Sequence, residues 1–207
     1  MQHLIKKINM LSMTEKDTRA ELTIIGGIIY PNASKFIEHF LNHTGDDLFY
    51  DASEIIEKTY NGASYYADNI NGVLKLCEST VLDELFFKTP SYVRLKGPRF
   101  STSSESGRIA QDWHYSIGDA DAAISVNCKK IGNSYEANIK YYILDYYDWE
   151  PNSRKGAGFV TDGEMYKLHE MGFGREFRSI GLYSTTISWN KGEQMKYDSR
   201  TNSLIIR

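Results

Sequence analysis

Two runs between Ala120 and Ile143 alternate apolar and polar residues with period two, and they constrain the fold more than any other stretch. In the first, Ala120, Ala122, Ile124, Val126 and Cys128 alternate with Asp121, Ala123, Ser125 and Asn127. After Gly132-Asn133, Tyr135, Ala137, Ile139, Tyr141 and Ile143 alternate with Glu136, Asn138 and Lys140. Successive strand residues point to opposite faces, so each run buries one face and offers the other to water. The glycine–asparagine turn joins them as a hairpin. Its return strand carries Asp145 to the rim of the sheet. The strand period is taken to begin at Trp113, with Trp113-His114-Tyr115 opening the sheet, either lining the same cleft as Asp145 or supplying a plain core tryptophan beside an exposed histidine.

The first half of the chain has a different period. Ile70, Val73, Leu74, Cys77, Val81, Leu82, Leu85 and Phe86 recur three and four apart, predicting a helix from about Ala63 to Lys88 with a kink at Asn71-Gly72. Pro31 or Asn32 opens an earlier helix with Phe36, Ile37, Phe40 and Leu41 on one face. Asp51 and Glu54 have the spacing of a capping box before Ile55-Ile56. Leu22–Tyr30, split by Gly26-Gly27, reads as a bent strand or packed loop, and it is about half as long as a membrane-spanning helix. The N-terminal residues lack the apolar core of a signal peptide. Thr89-Pro90 ends the helical region, and Ser91 to Gly107 is rich in glycine, proline and serine.

The fold class expected is therefore α+β: a helical N-terminal half (residues 1–90), a joint (91–110), and an antiparallel, barrel-like β-rich half (111–207). At 207 residues the chain is long enough for a sizeable core. Its 15 tyrosines suit ring packing on a sheet. A net charge of −3 without basic clustering argues against a nucleic-acid partner. Thr161 or Asp162 caps a short helix that Gly172 ends, and Arg175–Trp189 supplies one or two strands interrupted near Gly181. Leu204-Ile205-Ile206 reads as an edge strand. Cys77 and Cys128 read as small buried residues rather than a disulfide.

Candidate chemistry gathers after Ile139. Asp145-Tyr146-Tyr147-Asp148 ends the return strand, and two carboxylates at that spacing can converge on one cation while Tyr147 adds a hydroxyl. Turns at strand ends carry such acids for structural reasons too. His169, Glu170, Arg175 and Glu176 form a second group, in which His169 could act as acid or base or simply close its helix favourably for the dipole. His39 and His43 have metal-capable spacing but read as ordinary surface histidines. No phosphate loop, C-x-x-C or G-x-S-x-G is present.

The D-x-Y-D stretch at Asp145, Tyr147 and Asp148 resembles the signature of colicin M-like bacteriocins, which cleave the lipid II precursor of peptidoglycan in the target periplasm. In that family a His-Arg pair follows the second aspartate, where this sequence has Arg154-Lys155, leaving His169 as the candidate substitute. From Asp112 to Trp189 the order of segments is similar to C-terminal domains of bacterial polymorphic toxins and type VI secretion effectors. The resemblance implies an antibacterial effector delivered without a cleavable signal, a Mg²⁺-dependent lipid II phosphoester hydrolase with a cognate immunity protein. In that reading Asp145 and Asp148 hold the metal, Tyr147 or His169 moves the proton, and Arg154, Arg175 and Glu176 bind substrate. A membrane-perturbing toxin and a non-enzymatic binding module are the alternatives.

Overall fold

The computed structural model describes residues 30–42, 44–80, 87–89, 95–101, 107–152 and 161–207. In chain order its elements are α1 (Pro31–Leu41), β1 (Leu48–Asp51), α2 (Ser53–Lys58), α3 (Tyr60–Thr80), β2 (Phe87–Thr89), β3 (Leu95–Ser101) and α4 (Arg108–Ile117). There follow β4 (Asp119–Ile131), β5 (Ser134–Tyr147), α5 (Asp162–Glu170), β6 (Phe177–Asn190), β7 (Met195–Asp198) and β8 (Ser203–Ile206). The readings of Leu22–Ile29, His43 and Arg154-Lys155 lie outside the described residues.

The hairpin forms as its alternation requires. Ile131 faces Ser134 across the turn, and the antiparallel register runs on to Asp121 opposite Leu144. The apolar set of both strands is buried, from Ala120 to Cys128 on β4 and from Tyr135 to Ile143 on β5. β6 pairs with the other edge of β5 along its whole length, from Ser134–Asn190 to Tyr147–Phe177. It is one unbroken strand, contrary to the break expected at Gly181. The missing side chain there makes room for the Tyr50 ring, which lies 2.5 Å from where a Cβ would stand.

The architecture is α+β, as expected, and the sheet is mixed rather than wholly antiparallel. Its order is β1-β6-β5-β4-β2, with β3 also on β4. β1 runs parallel to β6 and the other pairings are antiparallel. Among the described residues nothing pairs β1 with β2 or β3, so the two edges do not close. β7 and β8 form a separate hairpin. Part of the stretch read as a joint therefore lies in the sheet, as β3, and Phe87–Thr89 pairs with β4 instead of extending the helix.

α3 lies along the buried face of the sheet. Its Tyr66 ring meets Tyr141 and Tyr183 edge-on at 5.1 and 5.3 Å, Asn69 donates to the Tyr141 hydroxyl, and Glu78 accepts from the Trp189 indole. The helix runs unbroken through Asn71-Gly72, where a kink was expected. The Asn71 amide instead exchanges two hydrogen bonds with the backbone of Met195, at 2.9 and 2.7 Å, fastening the β7–β8 hairpin to the helix. Cys77 and Cys128 are free thiols buried between α3 and β4.

Trp113-His114-Tyr115 belongs to α4, not to the sheet. Ala110, Trp113 and Ile117 follow helical spacing and are buried, and Gly118, at φ 53°, ends the helix before β4 begins. The Trp113 indole donates to Glu54. Glu54 is thereby committed to Trp113 and Asn32, and the capping box expected with Asp51 does not form.

The N-terminus of α1 has no side-chain cap of its own. Asp112 of α4 supplies one from across the chain, accepting from the backbone N–H of Asn32 at 3.1 Å and of Ala33 at 2.9 Å. Burial pushes its carboxyl above the usual range while those donors pull against it. Asp112→Ala should cost about 2–3 kcal/mol, read by urea unfolding, because it strands helix N–H donors away from water. An unchanged midpoint would refute the cap.

Candidate active site

The ends of β4, β5 and β6 meet at one end of the sheet. A cavity of about 660 Å³ there is lined by Asp119, Asp121, Asp145, Asp148, Arg178 and Ser179 among its polar residues, with Ala123, Leu144, Tyr146 and Ile180 as apolar wall. The aspartates of D-x-Y-D thus share one cavity, and β4 adds two more that the motif does not include.

Asp145 lies on the strand face shared by Tyr141, Ile143 and Tyr147. Its carboxyl is pushed up to about 7, first by burial and then by the charges of Asp148, Asp119 and Asp121, against the pull of the Tyr146 backbone N–H. Asp148 is raised too, by burial and by Glu150 and Asp162. A carboxyl that titrates near neutrality beside a second acid is the usual arrangement of an acid–base pair. Arg178, the cavity's cation, forks onto Asp47 with two bonds of 2.9 and 2.8 Å.

Tyr147 does not line the cavity. Its ring is enclosed by Phe177, stacked at 4.9 Å, by Trp149 at 5.0 Å and by Phe36 at 5.6 Å. Burial and the Asp145 charge suppress ionisation of its hydroxyl, which has no hydrogen-bond partner.

The second predicted group is not brought to the cavity. α5 begins at Thr161, one of the two caps the sequence offers, in a capping box in which Thr161 and Glu164 satisfy each other's N–H. His169 stands near its C-terminal end beside Tyr166, with Nδ1 buried and unpartnered, and is not among the residues lining the cavity. The Arg175 side chain runs against Gly45 while its backbone N–H binds Phe40 O. Glu176 accepts from the Trp149 backbone. Arg154 lies outside the described residues. Among those residues no three His, Cys, Asp or Glu converge as a closed metal site.

Asp119, Asp121, Arg178 and Ser179 were missed from the sequence. The first two were within reach, since counting back from the Gly132-Asn133 turn sets Asp121 opposite Leu144, next to Asp145. Arg178 and Ser179 carried no local signal, because they depend on β6 pairing with β5.

No family model matches the chain, and no curated protein does. Among solved structures it is similar to PaeM, a colicin M-like bacteriocin produced by Pseudomonas aeruginosa, at 15% identity and TM-score 0.43, over 78% of this chain and 52% of that one. It is also similar to a mutant of syringacin M from Pseudomonas syringae pv. tomato DC3000, at 10% identity and TM-score 0.39, over 76% of this chain and 52% of that one. A truncated syringacin M from the same organism matches at 10% identity and TM-score 0.37, over 77% of this chain and 60% of that one. The chain spans about half to three-fifths of the length of these bacteriocins.

Proposed function

We propose that the chain is an antibacterial effector that hydrolyses a lipid-linked pyrophosphate, the peptidoglycan precursor lipid II, in the periplasm of a target cell. The observation that carries the reading is the convergence of Asp145 and Asp148 in one cavity, at the strand end where the sequence resembles the colicin M-like signature. The two acids differ in a useful way. Asp145, titrating near 7, is suited to take the proton of an attacking water. Asp148 is less buried and suited to carry charge.

The apolar wall supports an amphiphilic substrate. On the solvent face of the sheet Phe49, Ile180 and Leu144 are registered side by side across β1, β6 and β5, leading toward Asp121 on β4. Phe49 is 71% exposed and Tyr146, in the next row, 50%. An exposed apolar strip that runs into an acid-lined cavity suits a molecule with a hydrocarbon tail and a phosphate head.

Asp148 would hold Mg²⁺, which leaves Asp145 free to take the proton. Asp148 fits that ion, since it is a hard donor whose carboxyl is raised partly by the charges of Glu150 and Asp162, which a cation relieves, and Mg²⁺ commonly takes one or two carboxylates and leaves the rest of its shell to water and substrate phosphate. Bound there, the ion would neutralise phosphate charge as the phosphoester breaks. A producing cell would require a cognate immunity protein.

Wild type and Asp148→Ala, each directed to the periplasm of a sensitive bacterium, test the reading. Lysis and consumption of undecaprenyl-linked precursor are expected from wild type, with activity lower by about 10²–10⁴ in the variant. Undiminished killing by a folded Asp148→Ala, or leakage of liposomes that contain no precursor, would overturn it.

A further inference from the structure

Ser179 sits opposite Asp145 in the β5–β6 register. It is 1% exposed, lines the cavity, and its Oγ has no hydrogen-bond partner. Residues directly opposed in an antiparallel pair point to the same face with Cβ atoms about 4.5–5.5 Å apart, so rotation about χ1 carries a serine hydroxyl to a facing carboxylate. Buried hydroxyls in folded proteins are paired with few exceptions, and such an exception needs a reason. Two residues further along β6, the same face is bare at Gly181, and the ring of Tyr50 fills the place, its hydroxyl oxygen 2.7 Å from where a Cβ would stand. That hydroxyl is also unpartnered, and the Asp145 charge acts on it. Two unpartnered hydroxyls, of Ser179 and Tyr50, thus lie on the β6 side of Asp145.

We propose that Ser179 is a positioning residue for Asp145: its hydroxyl donates to the carboxylate and holds it in the rotamer that faces Asp148 and the cavity. The proposal deepens the hydrolase reading and rests on it for the catalytic consequence, but the contact itself does not depend on any activity. The backbone N–H of Tyr146 favours the charged form of Asp145. A second donor from the opposite strand would fix the carboxylate plane, which one bond leaves free to turn.

The test combines Ser179→Ala, Ser179→Thr and Ser179→Cys, the last nearly isosteric but a weak donor. The side-chain ¹³Cγ resonance of Asp145, assigned through the backbone, is read at one pH in each folded variant. It is expected to move in Ala and Cys and to return in Thr. In hydrolysis of the undecaprenyl-linked precursor, kcat should fall about tenfold in Ala and Cys with KM nearly unchanged, as for loss of one hydrogen bond to a charged group, and recover in Thr. An unmoved resonance in both Ala and Cys overturns the proposal, as does a Thr variant that behaves like Ala. If the resonance moves as expected while wild type hydrolyses nothing, the positioning contact stands and the hydrolase reading falls.

Discussion

Asp145→Asn is expected to make the protein more stable at pH 8, to leave it unchanged near pH 4, and to slow hydrolysis by about 10²–10⁴. The folded carboxyl is raised from its ordinary 3.8 to about 7 by burial and by neighbouring aspartates. The native state therefore holds a proton that the unfolded chain has released between those values. Stability from this group is complete below about pH 4 and is lost as pH rises through about 7. Asparagine has the shape of the neutral acid and cannot ionise. It should recover on the order of 2–4 kcal/mol above pH 7, the size set by a shift of about three pH units at 1.36 kcal/mol each, less what water reaching the site already offsets. Thermal unfolding of both proteins at pH 4 and pH 8 reads the effect, with a gain of roughly 5–15 °C at the higher pH. The same change removes the proton acceptor and should lower the rate by about 10²–10⁴. A variant less stable than wild type at pH 8 would show that the carboxylate is stabilised in the fold rather than strained.

Phe40→Ala should cost about 3–5 kcal/mol and weaken the site from a distance. Phe40 is fully buried, its ring 5.9 Å from Trp149 and 6.4 Å from Tyr147. Gly174 closes against it so tightly that a Cβ there would lie 2.1 Å from the ring, and Arg175 binds the Phe40 carbonyl. One side chain of α1 thus braces both residues that flank Asp148 and the chain entering β6. Truncation removes that brace as well as the burial. Urea unfolding should show the loss, and precursor hydrolysis at a temperature where the variant stays folded should fall with it. Full activity with lowered stability would mean that β5 and β6 hold the acids without help from α1.

The hairpin, a cap of α5 at Thr161 or Asp162 and the buried stripe of α3 from Ile70 to Cys77 were legible because each depends on neighbours in sequence: strand period, a capping residue before a short apolar run, helical recurrence. So were Asp145 and Asp148 as a pair, since one strand end carries both. Trp113 misled because a tryptophan before an alternating run resembles a strand start, while the helical spacing of Ala110, Trp113 and Ile117 is short enough to overlook. Glu54 fitted a local cap and was taken by an indole instead.

What the sequence by itself determined is the local geometry, an amphipathic helix region and a hairpin that ends in two acids. Only the tertiary structure decided which groups surround those acids, because the partners of Asp145 come from β4 and β6 and from the parallel edge strand β1, all distant in sequence. Burial, which raises the Asp145 carboxyl most, belongs to no residue singly; it arises only when the strands and helices pack together and exclude water. His169 has a suggestive place in the sequence and a different place in space, since helix α5 presents it beside Tyr166 while the strand ends gather their acids in the cavity.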